Sequence, residues 1–201
     1  MKFVITVISF VKHLNLHILD VLFSGSKTVA KVYVMPLETQ WSQTLVKAFI
    51  SCQLDYCNSL LYKIADSQLR QLQSVQNAAA RLMTGMRRME HITPVLQSLH
   101  WLPVRQRILF KLVVSVRKCL SGCAPAYLAD DCHLIRCCRS GLRLSSSPTK
   151  LEVPPTRTTF GDRSFVVDGP HVWNSLSASI HDPSLTLAVF SNRLKTDFFE
   201  Q

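Results

Sequence analysis

The chain has 201 residues, 47% of them hydrophobic and 18% charged, a composition that excludes the disordered and fibrous classes. Twenty-three Lys and Arg against 13 Asp and Glu give a formal net charge of +10. No apolar run approaches the roughly 20 residues of a membrane-spanning helix, so we exclude a polytopic membrane protein and expect no membrane partner. We expect an intracellular protein, because Lys12 interrupts the apolar opening and no small-residue cleavage site follows closely.

The positive charge is concentrated in the middle of the chain. Residues 67–129 carry nine Lys and Arg and one acid, Glu90, and so contribute +8 of the +10. A block of this kind is typical of a surface that meets phosphates, although a solvated surface that is merely basic remains the alternative.

The apolar spacing predicts a mainly α fold. In chain order, residues 3–11 are dense in β-branched side chains and predict a short N-terminal β segment. Residues 151–165 alternate apolar and polar side chains around Pro154-Pro155 and Gly161, which predicts a small β-hairpin. The predicted helices span 42–62, 66–85, 93–99, 104–120, 172–176 and 184–199.

The predicted helix at 104–120 separates apolar from basic side chains. At 100° per residue, seven apolar or thiol side chains fall within one broad arc, and three cations form a stripe opposite. We expect the first face to pack on the protein and the stripe to face outwards. The apolar arc contains Ile108, Leu109, Leu112, Val113, Val116, Cys119 and Leu120, and the stripe contains Arg107, Lys111 and Lys118.

Two further clusters resemble chemical sites. Asp130-Asp131 imitates a metal-binding carboxylate pair, but it follows a predicted helix end instead of lying between apolar strands, so we expect no catalysis there. Seven cysteines are an odd number, and the spacing of the central group fits a zinc site poorly. We therefore predict no metal and no cofactor, and expect reduced thiols. The central group is Cys119, Cys123, Cys132, Cys137 and Cys138, with His133.

A series of ordered motifs carries a family resemblance. The motifs are residues 54–62 (LDYCNSLLY), 72–82 (LQSVQNAAARL), 91–96 (HITPVL), 98–104 (SLHWLPV), 161–165 (GDRSF) and 172–176 (VWNSL). In this order they resemble the C-terminal part of reverse transcriptases from non-LTR retrotransposons of the jockey and chicken-repeat type. The match covers about residues 44–199.

The resemblance implies a fragment of an RNA-directed DNA polymerase that lacks the catalytic palm and the upstream endonuclease. It implies four parts: a degraded remnant of the post-palm region (1–43), a basic helical thumb-like domain (44–138), a linker (139–150) and a C-terminal α+β tail (151–201). A thumb contacts the backbone of a template–primer duplex through cations, without base readout. The residues that suit this role are Arg81, Arg87, Arg88, Arg107, Lys111 and Lys118.

The sequence thus predicts a protein without enzymatic activity that binds at most the backbone of RNA or an RNA–DNA hybrid. A protein-interaction module is a second interpretation, in which apolar helices bind the missing palm or another protein surface. A translated relic without function is the third, since helices that once packed on a palm would expose apolar surface.

Overall fold

The computed structural model describes residue 48 and residues 51–135, 149–159 and 161–200. This part of the chain is mainly helical, which confirms the predicted fold class at that level. The predicted β segment at 3–11 lies outside the described residues. The chain divides into two compact units, Met1–Val104 and Arg105–Gln201. The predicted domain boundaries near residues 43 and 138 also lie outside the described part and stay predictions.

The first described element ends earlier than predicted. Residues 51–55 are helical, but Tyr56 and Cys57 form a turn, and a 3-10 helix follows at Asn58–Leu61. Cys57 has a φ of 49°, a left-handed conformation that an α-helix cannot contain. The prediction of one helix through Tyr62 is therefore wrong at its C-terminal end.

Helices α1 (Asp66–Thr84) and α2 (Thr93–Ser98) form the centre of the first unit. The apolar stripe of α1 is buried at Leu72, Val75 and Ala79, and the helix ends at Gly85, whose φ of 69° is left-handed. These two helices confirm the predictions at 66–85 and 93–99.

The end of α2 directs Trp101 into the core. The N–H of His100 donates to the carbonyl of Gln97 at 2.9 Å, and the N–H of Trp101 donates to that of Leu96 at 2.8 Å. This pair of bonds is a Schellman motif, with His100 at the left-handed position (φ 55°). Trp101 is only 4% exposed.

Two glutamines of α1 bind the backbone that follows Trp101. Gln76, completely buried, donates from Nε2 to the Leu102 carbonyl at 2.8 Å. The Oε1 atom of Gln73 accepts the N–H of Val104 at 2.8 Å. The two amides are joined, because Gln73 Nε2 donates to Gln76 Oε1 at 2.9 Å. Side chains of the segment 72–82 therefore provide hydrogen-bond partners for backbone groups of the segment 98–104.

We predict that Gln76→Ala lowers the free energy of unfolding of the first unit by about 2–3 kcal/mol, since it leaves the Leu102 carbonyl buried without its donor. Urea denaturation measures the change. Gln71→Ala, at an exposed position of the same helix, is the matched control and should change stability by less than about 0.5 kcal/mol. Equal effects of the two substitutions would contradict the role of the amide.

The second unit is built on α3 (Val104–Leu120), whose first residue belongs to the first unit. Short helix α4 (Ala126–Ala129) follows, then a 3-10 turn at Gly161–Arg163 and helices α5 (Phe165–Asn174) and α6 (Leu187–Glu200). Helix α3 matches the prediction at 104–120. The buried side chains of this unit include Ile108, Leu112, Val113, Val116, Val167, Val172, Trp173, Phe190, Leu194 and Phe198.

Helix α5 begins seven residues before the predicted start at Val172. This extension contains Gly169 and Pro170, two residues that disfavour helix. Both residues are buried, and a Cβ on Gly169 would lie 3.1 Å from Cγ2 of Val116. The close approach of α5 to α3 therefore favours glycine at position 169, and packing overrides helix propensity.

The start of α6 also differs from the prediction, which placed it at Ser184. The Asp182 carboxylate accepts the N–H of Ser184 at 2.9 Å and its hydroxyl at 2.7 Å. These bonds form a local turn that competes with helix. The helix consequently begins at Leu187.

Side chains of α5 also hold the strand-like segment around Leu151. Asn174 accepts the N–H of Leu151 at 2.9 Å and donates to its carbonyl at 2.8 Å, and the Trp173 indole donates to the Thr149 carbonyl at 2.9 Å. Leu151 also forms an isolated antiparallel bridge with Leu134. The hairpin predicted at 151–165 is not confirmed, since residues 151–159 and 161–165 contain this bridge, the 3-10 turn and the first residue of α5, but no strand pair.

Asn174→Asp should lower the free energy of unfolding by about 1–3 kcal/mol, because a carboxylate cannot donate to the Leu151 carbonyl. The loss should shrink as the pH falls towards about 4, the ordinary pKa of the carboxyl, because the folded chain favours the protonated form, which donates again. Asn192→Asp, at an exposed position of α6, is the control. Chemical denaturation of both variants at neutral and acidic pH would detect the difference, and identical stabilities at neutral pH would contradict it.

Candidate functional site

The six predicted nucleic-acid-binding residues lie in two groups, one in each unit. Arg81 lies on α1, and Arg87 and Arg88 lie in the loop after it. Arg107, Lys111 and Lys118 lie on α3. We describe each group by itself.

The arginines of the first unit differ in exposure. Arg87 and Arg88 are exposed, whereas Arg81 is half-buried. Nη2 of Arg81 donates to the Glu90 carbonyl at 3.4 Å, and its Nε is buried without a partner. Arg81 thus lies against the loop backbone, whereas the side chains of Arg87 and Arg88 are accessible to solvent.

The cations of α3 form a compact stripe. Lys111 and Lys118 are exposed and Arg107 is half-buried. At 100° and 1.5 Å per residue, the three Cα atoms lie within about 40° of arc and are separated along the axis by about 6 Å and about 10 Å. The opposite face of α3 carries Val113 and Val116, both completely buried. The stripe is therefore presented outwards by a helix anchored along its other side.

Helix α3 contains five Lys and Arg and no Asp or Glu, so no acid of its own sequence neutralises the stripe. Its charge is not all available to a ligand, however. Arg117 is 7% exposed, and its Nη2 donates to the carbonyls of Pro183 at 3.1 Å and Leu185 at 2.6 Å. The guanidinium carbon lies 5.3 Å from the centre of the Phe190 ring. Arg117 therefore binds the segment that leads into α6.

His181 is another buried polar residue of the second unit, and the sequence did not indicate its burial. It is 8% exposed, and its ring stacks on Trp173 with a centroid distance of 4.9 Å. Nε2 lies 2.9 Å from the Trp173 carbonyl oxygen, and Nδ1 lies 3.4 Å from the Thr149 hydroxyl. The hydrogen bonds that Ser184 donates to the neighbouring Asp182 hold the pKa of the Asp182 carboxyl below its usual value. Both residues stabilise the turn before α6.

The aspartate pair follows α4. Asp130 is exposed and Asp131 half-buried, and their N–H groups donate to the carbonyls of Ala126 and Leu128. The pair lies at a helix end, the position that the sequence indicated, and not between strands.

The described cysteines form a buried group and an exposed group. Cys119 and Cys132 are buried, whereas Cys52, Cys57 and Cys123 are exposed. Within the described part of the chain, no three His, Cys, Asp or Glu side chains are grouped to hold a metal ion; Cys137 and Cys138 lie outside it. The same residues contain no helix long and apolar enough to cross a membrane.

Burial sets the chemistry of the two inner thiols. Desolvation, together with the neighbouring Cys119, raises the pKa of Cys132 to about 12. Desolvation also raises the pKa of Cys119, and the negative charge of Asp131 acts in the same direction. Both thiols are therefore neutral at physiological pH.

Comparison with protein-family models, with curated proteins and with solved structures gives no match for this chain.

We predict that maleimide labels Cys123 of the folded chain at pH 8 at least tenfold faster than Cys132. A thiol of pKa about 12 has a thiolate fraction on the order of 10⁻⁴ at that pH, against about a quarter for an ordinary exposed thiol. Because burial raises the pKa of Cys132 to about 12, its labelling should keep rising with pH throughout the range below that value. Peptide mass spectrometry measures both rates, and equal rates in the folded chain would contradict the assignment.

Proposed function

We propose that this chain binds the phosphate backbone of RNA or an RNA–DNA hybrid through the outer stripe of α3, without reading base sequence. We further propose that it corresponds to the thumb and tail region of a non-LTR retrotransposon reverse transcriptase, without a catalytic role of its own. The motif series supports the second proposal. The first is supported by the geometry of the stripe.

One observation carries the binding proposal: an acid-free helix that is buried along one side and presents Lys111 and Lys118 to solvent on the other. Lysine ammonium groups are point charges on flexible stems, which suit phosphates whose spacing varies with the nucleic acid. Contacts with phosphates position a protein but carry no base information. The expected interaction is therefore strongly dependent on salt and weakly dependent on sequence.

A protein-interaction role has a specific observation in its favour. Tyr56 and Leu60 are 55% and 56% exposed, and they lie in the turn and 3-10 helix of the motif at 54–62. Exposed apolar side chains of this size are typical of contact surfaces when they are adjacent. Palm-like domains are the partner that the resemblance suggests.

The test is a salt series of binding to an RNA–DNA hybrid of arbitrary sequence, measured by fluorescence anisotropy. The intact chain should give a log–log slope of roughly −3 to −5, the value for a few neutralised phosphates. Lys111→Glu/Lys118→Glu should weaken binding at least tenfold at low salt and reduce the slope by about 2. Both lysines are exposed, so the fold should be unaffected.

Arg157→Glu/Arg193→Glu is the matched control, since it makes the same change in net charge at exposed positions outside α3. It should reduce affinity by less than threefold. Equal losses in the two double variants would indicate general charge attraction and contradict the stripe. A folded intact chain that does not bind at low salt would overturn the proposal and favour protein interaction.

A further inference from the structure

The loop between α1 and α2 contains an exposed β-turn. The N–H of Glu90 donates to the carbonyl of Arg87 at 3.2 Å, which places Arg88 and Met89 at the two central positions of the turn. The side chain of Met89 is 93% exposed, more than any other exposed large hydrophobic side chain of the described residues. Burial of this methionine therefore contributes almost nothing to the fold.

The turn is anchored at its base. Gly85 ends α1 in a left-handed conformation, and α2 begins at Thr93. Nη2 of Arg81 donates to the Glu90 carbonyl at 3.4 Å. These contacts hold the tip of the turn at a defined place on the first unit. Residues 87–90 (RRME) include none of Gly, Pro, Asn, Asp and Ser, the residues that favour turns, so turn formation does not account for a methionine at the tip.

Positive charge lies beside the methionine. Arg87 and Arg88 are exposed, and Glu90 is the single acid of residues 67–129. Proteins that enter a groove of a nucleic acid combine arginines, which contact phosphates, with an apolar side chain that lies between base steps, and methionine is one of the residues used. An RNA–DNA hybrid of A-like geometry has a wide, shallow minor groove, which can admit the tip of a turn.

We propose that Met89 inserts into the minor groove of a bound RNA–DNA hybrid and partly unstacks one base step, while Arg87 and Arg88 contact the flanking phosphates. This inference rests on the proposed function, since it requires that the chain binds the hybrid. It adds a contact with the bases that does not depend on their identity, because every base presents an apolar face.

An anionic membrane would attract the same two arginines. Helices that lie on a membrane, however, insert a whole face of apolar side chains, whereas this turn offers one apolar side chain between Arg88 and Glu90. In a groove a single side chain is enough, because contacts with phosphates position the tip. The turn therefore fits a nucleic acid better than a lipid surface.

The test uses the full chain and an RNA–DNA hybrid whose DNA strand carries 2-aminopurine at several positions. The fluorescence of this base rises when it unstacks. Met89→Gln replaces the apolar side chain by a polar one of similar length, and Met89→Leu is the matched control that keeps an apolar side chain. Because Met89 is 93% exposed, neither substitution should alter the fold, which circular dichroism checks.

At concentrations that saturate the hybrid, the intact chain and Met89→Leu should raise the fluorescence at least about twofold, whereas Met89→Gln should leave it within about 20% of that of the free hybrid. The affinity of Met89→Gln should fall about three- to tenfold with an unchanged salt slope, since no charge is lost. Arg87→Gln/Arg88→Gln should instead reduce the slope by about 2.

Lys111→Glu/Lys118→Glu separates this inference from the proposed function, because it should weaken binding and keep the rise in fluorescence at saturation. Binding of the intact chain without a rise in fluorescence, or equal behaviour of Met89→Gln and Met89→Leu, would overturn the inference and leave the proposed function standing. Absence of any binding would overturn both. Binding to phosphatidylserine vesicles that is lost in Met89→Gln, with hybrid binding unchanged, would assign the turn to membranes and overturn the inference.

Discussion

Buried backbone groups in the segments between helices must find hydrogen-bond partners, and in both units side chains of the helices supply them. In the first unit Gln76 binds the carbonyl of Leu102. In the second, Asn174 binds both backbone groups of Leu151, and Arg117 binds two carbonyls before α6. A chain with short helices and long irregular connections leaves many such groups to satisfy. The polar residues inside this protein are therefore as important to the fold as the apolar ones.

The periodicity of α3 places a buried apolar face and the proposed binding surface on opposite sides of one helix. Val113 and Val116 lie on its buried face, and Gly169 of α5 approaches Val116 closely. Lys111 and Lys118 lie on the exposed face. Since the inner face fixes the helix against its neighbours, the backbone positions that carry the outer lysines keep a constant spacing.

The sequence predicts the helices that are determined by residues close together in the chain. Apolar spacing was enough to locate α1 and α3. The roles of Gln76 and Asn174 could not be predicted, because each depends on a backbone group more than 20 residues away in the chain. Arg117 was counted with the basic block because nothing in its neighbourhood distinguishes a buried arginine from an exposed one. The helical course of 165–171 was missed because burial outweighed the breaking tendency of Gly169-Pro170.

The glutamine pair of α1 has a consequence for how this protein responds to its solution. Neither Gln73 nor Gln76 carries a charge, so the bonds that they make to the backbone of Leu102 and Val104 are indifferent to counterions. The Lys111 and Lys118 ammonium groups, by contrast, attract any anion and lose that attraction as ions accumulate around them. A rise in ionic strength therefore weakens the attraction of anions to the exposed lysines but does not weaken the hydrogen bonds of Gln73 and Gln76. Under the proposed function, a rise in salt would release the bound polyanion while the bonds of Gln73 and Gln76 persist.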